Sequence, residues 1–234
     1  LHLQTLKKMW NKYTDICPII AITNAQHAGY WADKELYKAL SANDDAALRE
    51  RKLAMKEQLF ELVADENGEI FRKDVLTIVF AKRFTGYKRA DLLLHDMDRF
   101  NRLVNNRERP IQIVWAGKPY PMDYTAIGVF DKIVDACKSY ANCSVLAGYE
   151  LKLSKLLKQG ADVWLNVPRL THEASGTSGM TAAMNGAVDL SIPDGWFPEF
   201  AKDKRNCFVI PPSDATLPEH IQDDQDAQCL YDLL

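Results

Sequence analysis

Apolar positions along this chain fall into short continuous runs, set apart by longer stretches in which they recur every three or four residues. Val75–Ala81 reads Val-Leu-Thr-Ile-Val-Phe-Ala and Ile111–Ala116 reads Ile-Gln-Ile-Val-Trp-Ala. Both are too short for a helix, are rich in β-branched and aromatic residues, and lack the apolar–polar alternation of a strand with one wet face. Each therefore predicts a strand buried on both sides. Similar runs at Cys143–Ala147, Asp162–Val167, Ala187–Ile192 and Cys207–Ile210 predict four more. The apolar run Ile16–Ile22, bounded by Pro18 and Asn24, is a further candidate.

The intervening stretches carry helical spacing. Leu36, Leu40, Leu48, Leu53, Leu59 and Leu62 mark helices within 34–62, and Leu92, Leu93, Met97, Phe100 and Leu103 mark one over 88–106. Further helices are expected over 124–140, 150–160 and 178–186. Strand and helix in regular alternation predict an α/β fold: a parallel sheet with helices on both faces. The polar segment Asp203–Asn206 reads as a loop, and the acidic stretch Asp223-Asp224-Gln225-Asp226 as a solvated helix start and not a metal site.

Composition narrows this picture. With 234 residues, 47% hydrophobic and 26% charged, the chain can bury a full core and reads as globular. A formal net charge of −3 gives no long-range pull on nucleic acid or an anionic membrane, so any bound anion must be held by local cations. No apolar stretch is long enough to span a bilayer. The five cysteines are odd in number, scattered and without a CxxC pair, which suits buried thiols in a reducing cytosol and neither a disulfide framework nor a metal site. There is no initiating Met and no signal peptide, and the chain stops at Tyr231–Leu234 within the start of a helical pattern. The expectation is a cytoplasmic protein of which this is a piece: a helical lead-in over 1–15, one domain over 16–212, and the beginning of a helical segment over 213–234.

The unusual residues all follow strands. Arg83 and Lys88 follow 75–81, Lys118 follows 111–116, Tyr149 follows 143–147, Glu173–Thr177 follow 162–167, and Asp194-Gly195 follow 187–192. Ligands of open parallel sheets bind outside the carboxyl ends of the strands, so these residues are expected to share one crevice. The run Lys82-Arg83-Phe-Thr-Gly-Tyr-Lys88-Arg89 sets four cations where a helix is to begin. Cations oppose the helix dipole there unless an anion lies close, which points Arg83 and Lys88 to an anion and leaves Lys82 and Arg89 between that role and a solvated one. The run His172-Glu173-Ala174-Ser175-Gly176-Thr177-Ser178-Gly179-Met180-Thr181 follows another strand and opens a helix. Its small residues let a ligand approach the backbone, and its new helix offers unpaired N–H groups. Glu173 is either a helix-capping acid or an acceptor for substrate hydroxyls. His27 and His172 read as structural. There is no Walker A or GxGxxG pattern, and no Ser/His/Asp or Cys/His arrangement.

Taken together these blocks resemble the α-glucan (glycogen or starch) phosphorylases, and most of all their shorter bacterial and archaeal branch. The matching blocks are Thr23-Asn24 with Trp31, Lys82-Arg83-x-x-x-Tyr87-Lys88-Arg89, Ala116-Gly117-Lys118, Gly148-Tyr149-Glu150-Leu151, and Glu173-Ala-Ser-Gly-Thr177-Ser-Gly-Met180 running through Met184-Asn185-Gly186 to Asp194-Gly195. The resemblance implies the Rossmann-like C-terminal half of a GT-B glycosyltransferase fold. It also implies transfer of a glucosyl unit from an α-1,4-glucan to phosphate, with retention, to give glucose 1-phosphate, and pyridoxal 5'-phosphate as cofactor, acting through its phosphate. By this resemblance Arg83 and Lys88 would bind substrate phosphate, and Asn24, Glu173, Ser175 and Gly176 would hold the glucosyl hydroxyls. Thr177 and Ser178 would cradle the cofactor phosphate, and Trp31, Lys82 and Tyr149 would wall its ring. A homo-oligomer is left open.

The chain departs from the pattern at two places. Thr181 stands where the family carries the Lys that forms a Schiff base with the cofactor, and Thr cannot form an imine. Glu150 stands where the long phosphorylases carry Arg. Three accounts fit Thr181: an engineered or clone-specific change, a member that holds the cofactor without a covalent bond, or a relative that dispensed with it. The rival functions are a nucleotide-sugar-dependent glucan synthase and a non-catalytic carbohydrate-binding module. The isolated piece is expected to be inactive, because half a site cannot exclude water.

Overall fold

The computed structural model describes residues 2–148 and 150–234. Tyr149, one expected wall of the cofactor ring, lies outside the described residues. The chain opens on four helices, α1 (His2–Met9), α2 (Ala28–Trp31), α3 (Lys34–Ser41) and α4 (Asp45–Asn67). Strand–helix units follow. β1 (Leu76–Ala81) leads through two single 3-10 turns, Gly86–Lys88 and Leu92–Leu94, to α5 (Met97–Val104). β2 (Ile111–Ala116) leads to α6 (Tyr124–Cys137), β3 (Cys143–Leu146) to α7 (Leu151–Gly160), and β4 (Val163–Asn166) to α8 (Thr177–Ala183). β5 (Val188–Ser191) leads to α9 (Phe197–Phe200), and β6 (Cys207–Val209) to α10 (Glu219–Leu233). Four helices start on an aspartate whose carboxylate accepts a backbone N–H three residues on: Asp33 for α3, Asp44 for α4, Asp96 for α5 and Asp123 for α6. Each cap satisfies a donor that the helix leaves unpaired.

The six strands form one sheet in the order β3-β2-β1-β4-β5-β6, every pair parallel. This is the doubly wound, Rossmann-like α/β architecture, and it explains the continuous apolar runs. Ile78, Phe80, Ile113 and Trp115 point into the core layer that includes Phe100, Ile133 and Leu230 from α5, α6 and α10. Val79, Ala81, Val114 and Ala116 point into the other layer, with Leu59 and Val63 from α4 and Leu157 from α7. Consecutive residues of β1 and β2 thus serve opposite cores, and both must be apolar. No described helix is long and apolar enough to cross a membrane.

Three expectations are corrected. Ile16–Ile22 forms no strand: the segment has no regular structure, and Ile20 and Ile22 are 75% and 84% exposed. An apolar run makes a strand only with a neighbour to receive its backbone bonds, and Pro18 withholds one donor. The helix expected over 88–106 is broken, because Arg89 adopts a left-handed backbone (φ 47°) right after the first 3-10 turn and Asp96 starts α5 afresh. The acidic stretch is not simply solvated: Asp226 is 1% exposed, and its carboxylate lies 2.8 Å from the Arg89 guanidinium. The cysteines are unpaired; Cys143 and Cys207 are buried, Cys137 and Cys229 half-buried, and Cys17 exposed.

Candidate functional site

β1 and β4 are adjacent in the sheet but lead their chains in opposite directions, which opens a crevice at their carboxyl ends. Lys82 is the first residue after β1 and Asn166 the last of β4. The buried Lys82 ammonium donates to Asn166 Oδ1 across this switch point and, at 3.3 Å, to Ser178 Oγ on α8. Asn166 in turn donates through Nδ2 to Asp189 Oδ1 of β5 at 3.2 Å. A cation, an amide and an acid therefore run in a line beneath the crevice. Burial, reinforced by the positive charge of Lys88, lowers the Lys82 pKa to about 7. Burial also raises Asp189 to about 7, against the pull of Lys82.

Lys88 ends the 3-10 turn above this line, and its Nζ lies 3.0 Å from Glu173 Oε2; the two side chains are 14% and 13% exposed. The turn bearing Glu173 is braced from three sides. Its backbone N–H donates to Asp194 Oδ2 at 2.8 Å, Trp196 N–H donates to the Ser175 carbonyl at 2.8 Å, and Asn24 Nδ2 donates to Ser175 Oγ at 2.7 Å. Gly195 permits this approach: it sits at φ 61°, and a Cβ there would lie 2.4 Å from the Ser175 carbonyl oxygen. The Asp-Gly pair seen in the sequence thus supports the Glu173–Ser175 turn. Gly176, also left-handed at φ 71°, leads directly into α8.

The cleft so formed has a volume of about 480 Å³. Trp31, Lys82, Arg83, Lys88, Glu173, Gly176, Thr177, Ser178 and Thr181 all line it, although they come from segments 150 residues apart. Asn24 lines an adjoining hollow with Trp196, and Gln26 borders both. Arg83 is exposed and makes no ion pair among the described residues. Arg89 is turned away. Its guanidinium donates to the Val167 and Pro168 carbonyls at 3.0 and 3.1 Å and pairs with Asp223 and Asp226, so it is engaged within the fold and not offered to an anion in the cleft. His172 stacks on Tyr87 outside the cleft lining, as a structural residue would.

Thr181 is buried, and its Oγ1 donates back to the Ser178 carbonyl at 3.0 Å within its own helix. Asn185, quoted in the sequence only as part of an Asn-Gly pair, joins α8 to the segment bearing Trp31. Its Nδ2 donates to the Trp31 and Thr181 carbonyls at 2.9 and 2.8 Å, and its Oδ1 accepts the Asp33 N–H at 3.1 Å. Asn185→Ala should therefore cost about 2–3 kcal/mol of unfolding free energy, since three backbone groups, one of them part-buried and two buried, lose their partner. Urea denaturation checks this; a loss under about 0.5 kcal/mol would mean that water replaces the amide. Asn166, Asp189 and Lys158 also belong to this region and were not legible beforehand. An Asn ending a strand and an Asp within one carry no pattern of their own, and Lys158 reads as an ordinary cation in the last turn of a helix.

Comparison with known proteins agrees with this geometry. Residues 21–209 match the family model described as carbohydrate phosphorylase. A maltodextrin phosphorylase of Thermococcus litoralis is 33% identical over 277 aligned residues, covering 100% of this chain and 33% of that protein. A glycogen phosphorylase of Mycobacterium tuberculosis is 41% identical over 167 residues, covering 70% of this chain and 19% of that protein. An uncharacterized protein of Methanocaldococcus jannaschii is 48% identical over 235 residues, covering 100% and 44%. The chain thus spans less than half the length of these relatives. With the match over most of its length and the strand-end crevice in which its motifs meet, the chain belongs to the carbohydrate phosphorylase family.

Proposed function

We propose that this chain forms the Rossmann-like half of a GT-B glucosyltransferase that moves a glucosyl unit between an α-1,4-glucan and phosphate, with glucose 1-phosphate as the phosphorylated product. The observation that carries this reading is the meeting, in one cleft, of the cation run after β1 and the Glu173–Ser178 turn after β4. Arg83 lines the rim with a planar fork that no carboxylate occupies among the described residues, which suits it to a phosphate. Lys88 is paired with Glu173 at 3.0 Å. An arriving phosphate dianion would compete for Lys88 and release the Glu173 carboxylate to accept bonds from sugar hydroxyls. Asn24 and Ser175 hold each other at 2.7 Å beside that turn and present further polar groups to the sugar. Cation and carboxylate side chains held in a partly dry cleft act more strongly on developing charge than they would in water.

The residues suit pyridoxal phosphate at its phosphate and ring, and at 181 they offer no amine. The cleft volume is of the size that encloses a small cofactor, Trp31 supplies a flat apolar wall, and Lys82 and Ser178 stand together at the start of α8. Thr177, Ser178 and Lys82 would hold the phosphate and Trp31 the ring; when bound, the group supplies a phosphate that can donate and accept a proton beside the substrate phosphate. Lys82, with its pKa near 7, can neutralise that phosphate at little cost in desolvation, because it is already buried.

Arg83→Ala should weaken binding of inorganic phosphate or glucose 1-phosphate by about 10- to 100-fold, the worth of one charge-assisted fork, while leaving glucan binding unchanged. Isothermal titration with each ligand measures this. Equal phosphate affinity in the variant would overturn the phosphate assignment. Stabilisation by ADP-glucose or UDP-glucose and none by pyridoxal phosphate would favour the synthase reading instead.

A further inference from the structure

We propose that Lys158 supplies the amine that holds pyridoxal phosphate covalently in this protein, in place of the lysine that the family resemblance implies at the position of Thr181. This rests on the reading of the cleft as a cofactor pocket. Lys158 lies in the last turn of α7, which packs against α8, and Lys158 and Thr181 line the same cleft. Its ammonium sits 3.7 Å from the centroid of the Trp31 ring and donates to Ser154 Oγ at 2.9 Å. The amine is therefore already stationed against the flat wall that would face the cofactor ring. Of the two other cleft lysines, Lys88 is paired with Glu173 at 3.0 Å, and Lys82 is engaged by Asn166 and Ser178 at the phosphate end, where a covalent bond would consume the cation that the phosphate needs.

Reactivity permits Lys158 but does not single it out, since Lys82, lowered to about 7, is neutral in a larger fraction; position separates the two. An imine forms only from a neutral amine. Burial lowers the Lys158 pKa to about 8. Roughly one in ten such side chains is neutral at pH 7, against roughly one in three thousand for an ordinary lysine. The step balances without an oxidant or reductant: the Nζ lone pair adds to the aldehyde carbon, the resulting carbinolamine loses one water, and a C=N bond replaces the C=O bond. The reverse, hydrolysis, returns the amine. The wall needed for this is fixed by Asn185, which ties the Trp31 carbonyl to α8.

The test mixes the protein with one equivalent of pyridoxal phosphate, reduces it with borohydride, and maps the modified peptide by mass spectrometry. In parallel, thermal shift is recorded with an aldehyde-free analogue of the cofactor. The expected result is a reduced adduct on Lys158, lost at least tenfold in Lys158→Arg, which keeps a cation over Trp31 and cannot form an imine. That variant should still be stabilised by the analogue, which also shows that it folds. Lys158→Met serves as a second variant with the same expected loss. An adduct on Lys82, or one scattered over surface lysines, or one unchanged in Lys158→Arg, overturns the proposal. If the analogue binds and no adduct forms, Lys158 is excluded while the cofactor pocket stands. If neither compound binds, the pocket reading falls and takes this inference with it.

Discussion

Arg89→Met is expected to lower the unfolding free energy by about 3–5 kcal/mol, the cost of leaving a buried carboxylate without its cation. Asp226 is 1% exposed; apart from Arg89 at 2.8 Å, its carboxylate accepts the Ser213 N–H at 2.7 Å. Without the guanidinium the acid keeps one hydrogen bond and loses its countercharge. The Val167 and Pro168 carbonyls lose their donor as well. Methionine fills much of the same volume and meets the same left-handed backbone, so neither a cavity nor new strain accounts for the loss. The double variant Arg89→Met, Asp226→Asn should recover more than half of it, because an amide oxygen still accepts from Ser213 and no charge is stranded. Urea unfolding of both variants measures this. No recovery in the double variant would show that packing, and not charge, dominates. The consequence reaches the cleft, since Arg89 ties α10 to the segment that leaves β4 for the Glu173 turn.

The second large effect is a dependence of stability on pH. Asp189 is neutral more readily in the folded state than in the unfolded chain. Its contribution is thus complete at low pH and is lost as pH rises through about 7. Lys82 runs the other way: its folded pKa is depressed, so its contribution is complete at high pH and is lost as pH falls through about 7. At pH 9 Lys82 is neutral and the charged Asp189 has no countercharge. Asp189→Asn should therefore stabilise the protein by about 2–4 kcal/mol at pH 9, by less than half as much at pH 5, where only the unfolded acid is ionised, and by little near pH 3, where the acid is protonated in both states. The bond from Asn166 is kept, because the new amide oxygen still accepts it. Thermal unfolding from pH 5 to 9 tests this. A variant less stable than the parent at pH 9 would place the ionised acid in a favourable contact.

Much of the framework was legible beforehand for a physical reason. A strand covered on both faces must be apolar at consecutive positions, and Val75–Ala81 and Ile111–Ala116 announce this without a neighbour in view. Ile16–Ile22 carried the same signal and failed, because strand formation also needs a partner edge, which no local pattern reports. The aspartates that cap α3, α4, α5 and α6 were not read as helix starts beforehand, and neither was the break at Arg89, since nothing in a run of cations signals a left-handed backbone. The cation run and the small-residue turn were visible as motifs. Arg83 and Lys88, singled out in the sequence, do line the cleft; that Lys82 joins them and Arg89 does not was not legible from the residues alone, because the two differ only in where the chain turns between them.

The amino-acid order by itself determined the alternation of strand and helix, and with it the placing of polar motifs at strand ends, because burial on two faces leaves a recurrent mark in composition. Only the tertiary structure decided which charges are partners. It joined Lys88 to Glu173, Lys82 to Asn166 beside Asp189, Arg89 to Asp226, and Lys158 to the face of Trp31. Such pairings depend on distances of a few ångströms between segments far apart in the chain, and on burial that shifts a side chain's affinity for protons; neither is written in any local stretch of residues.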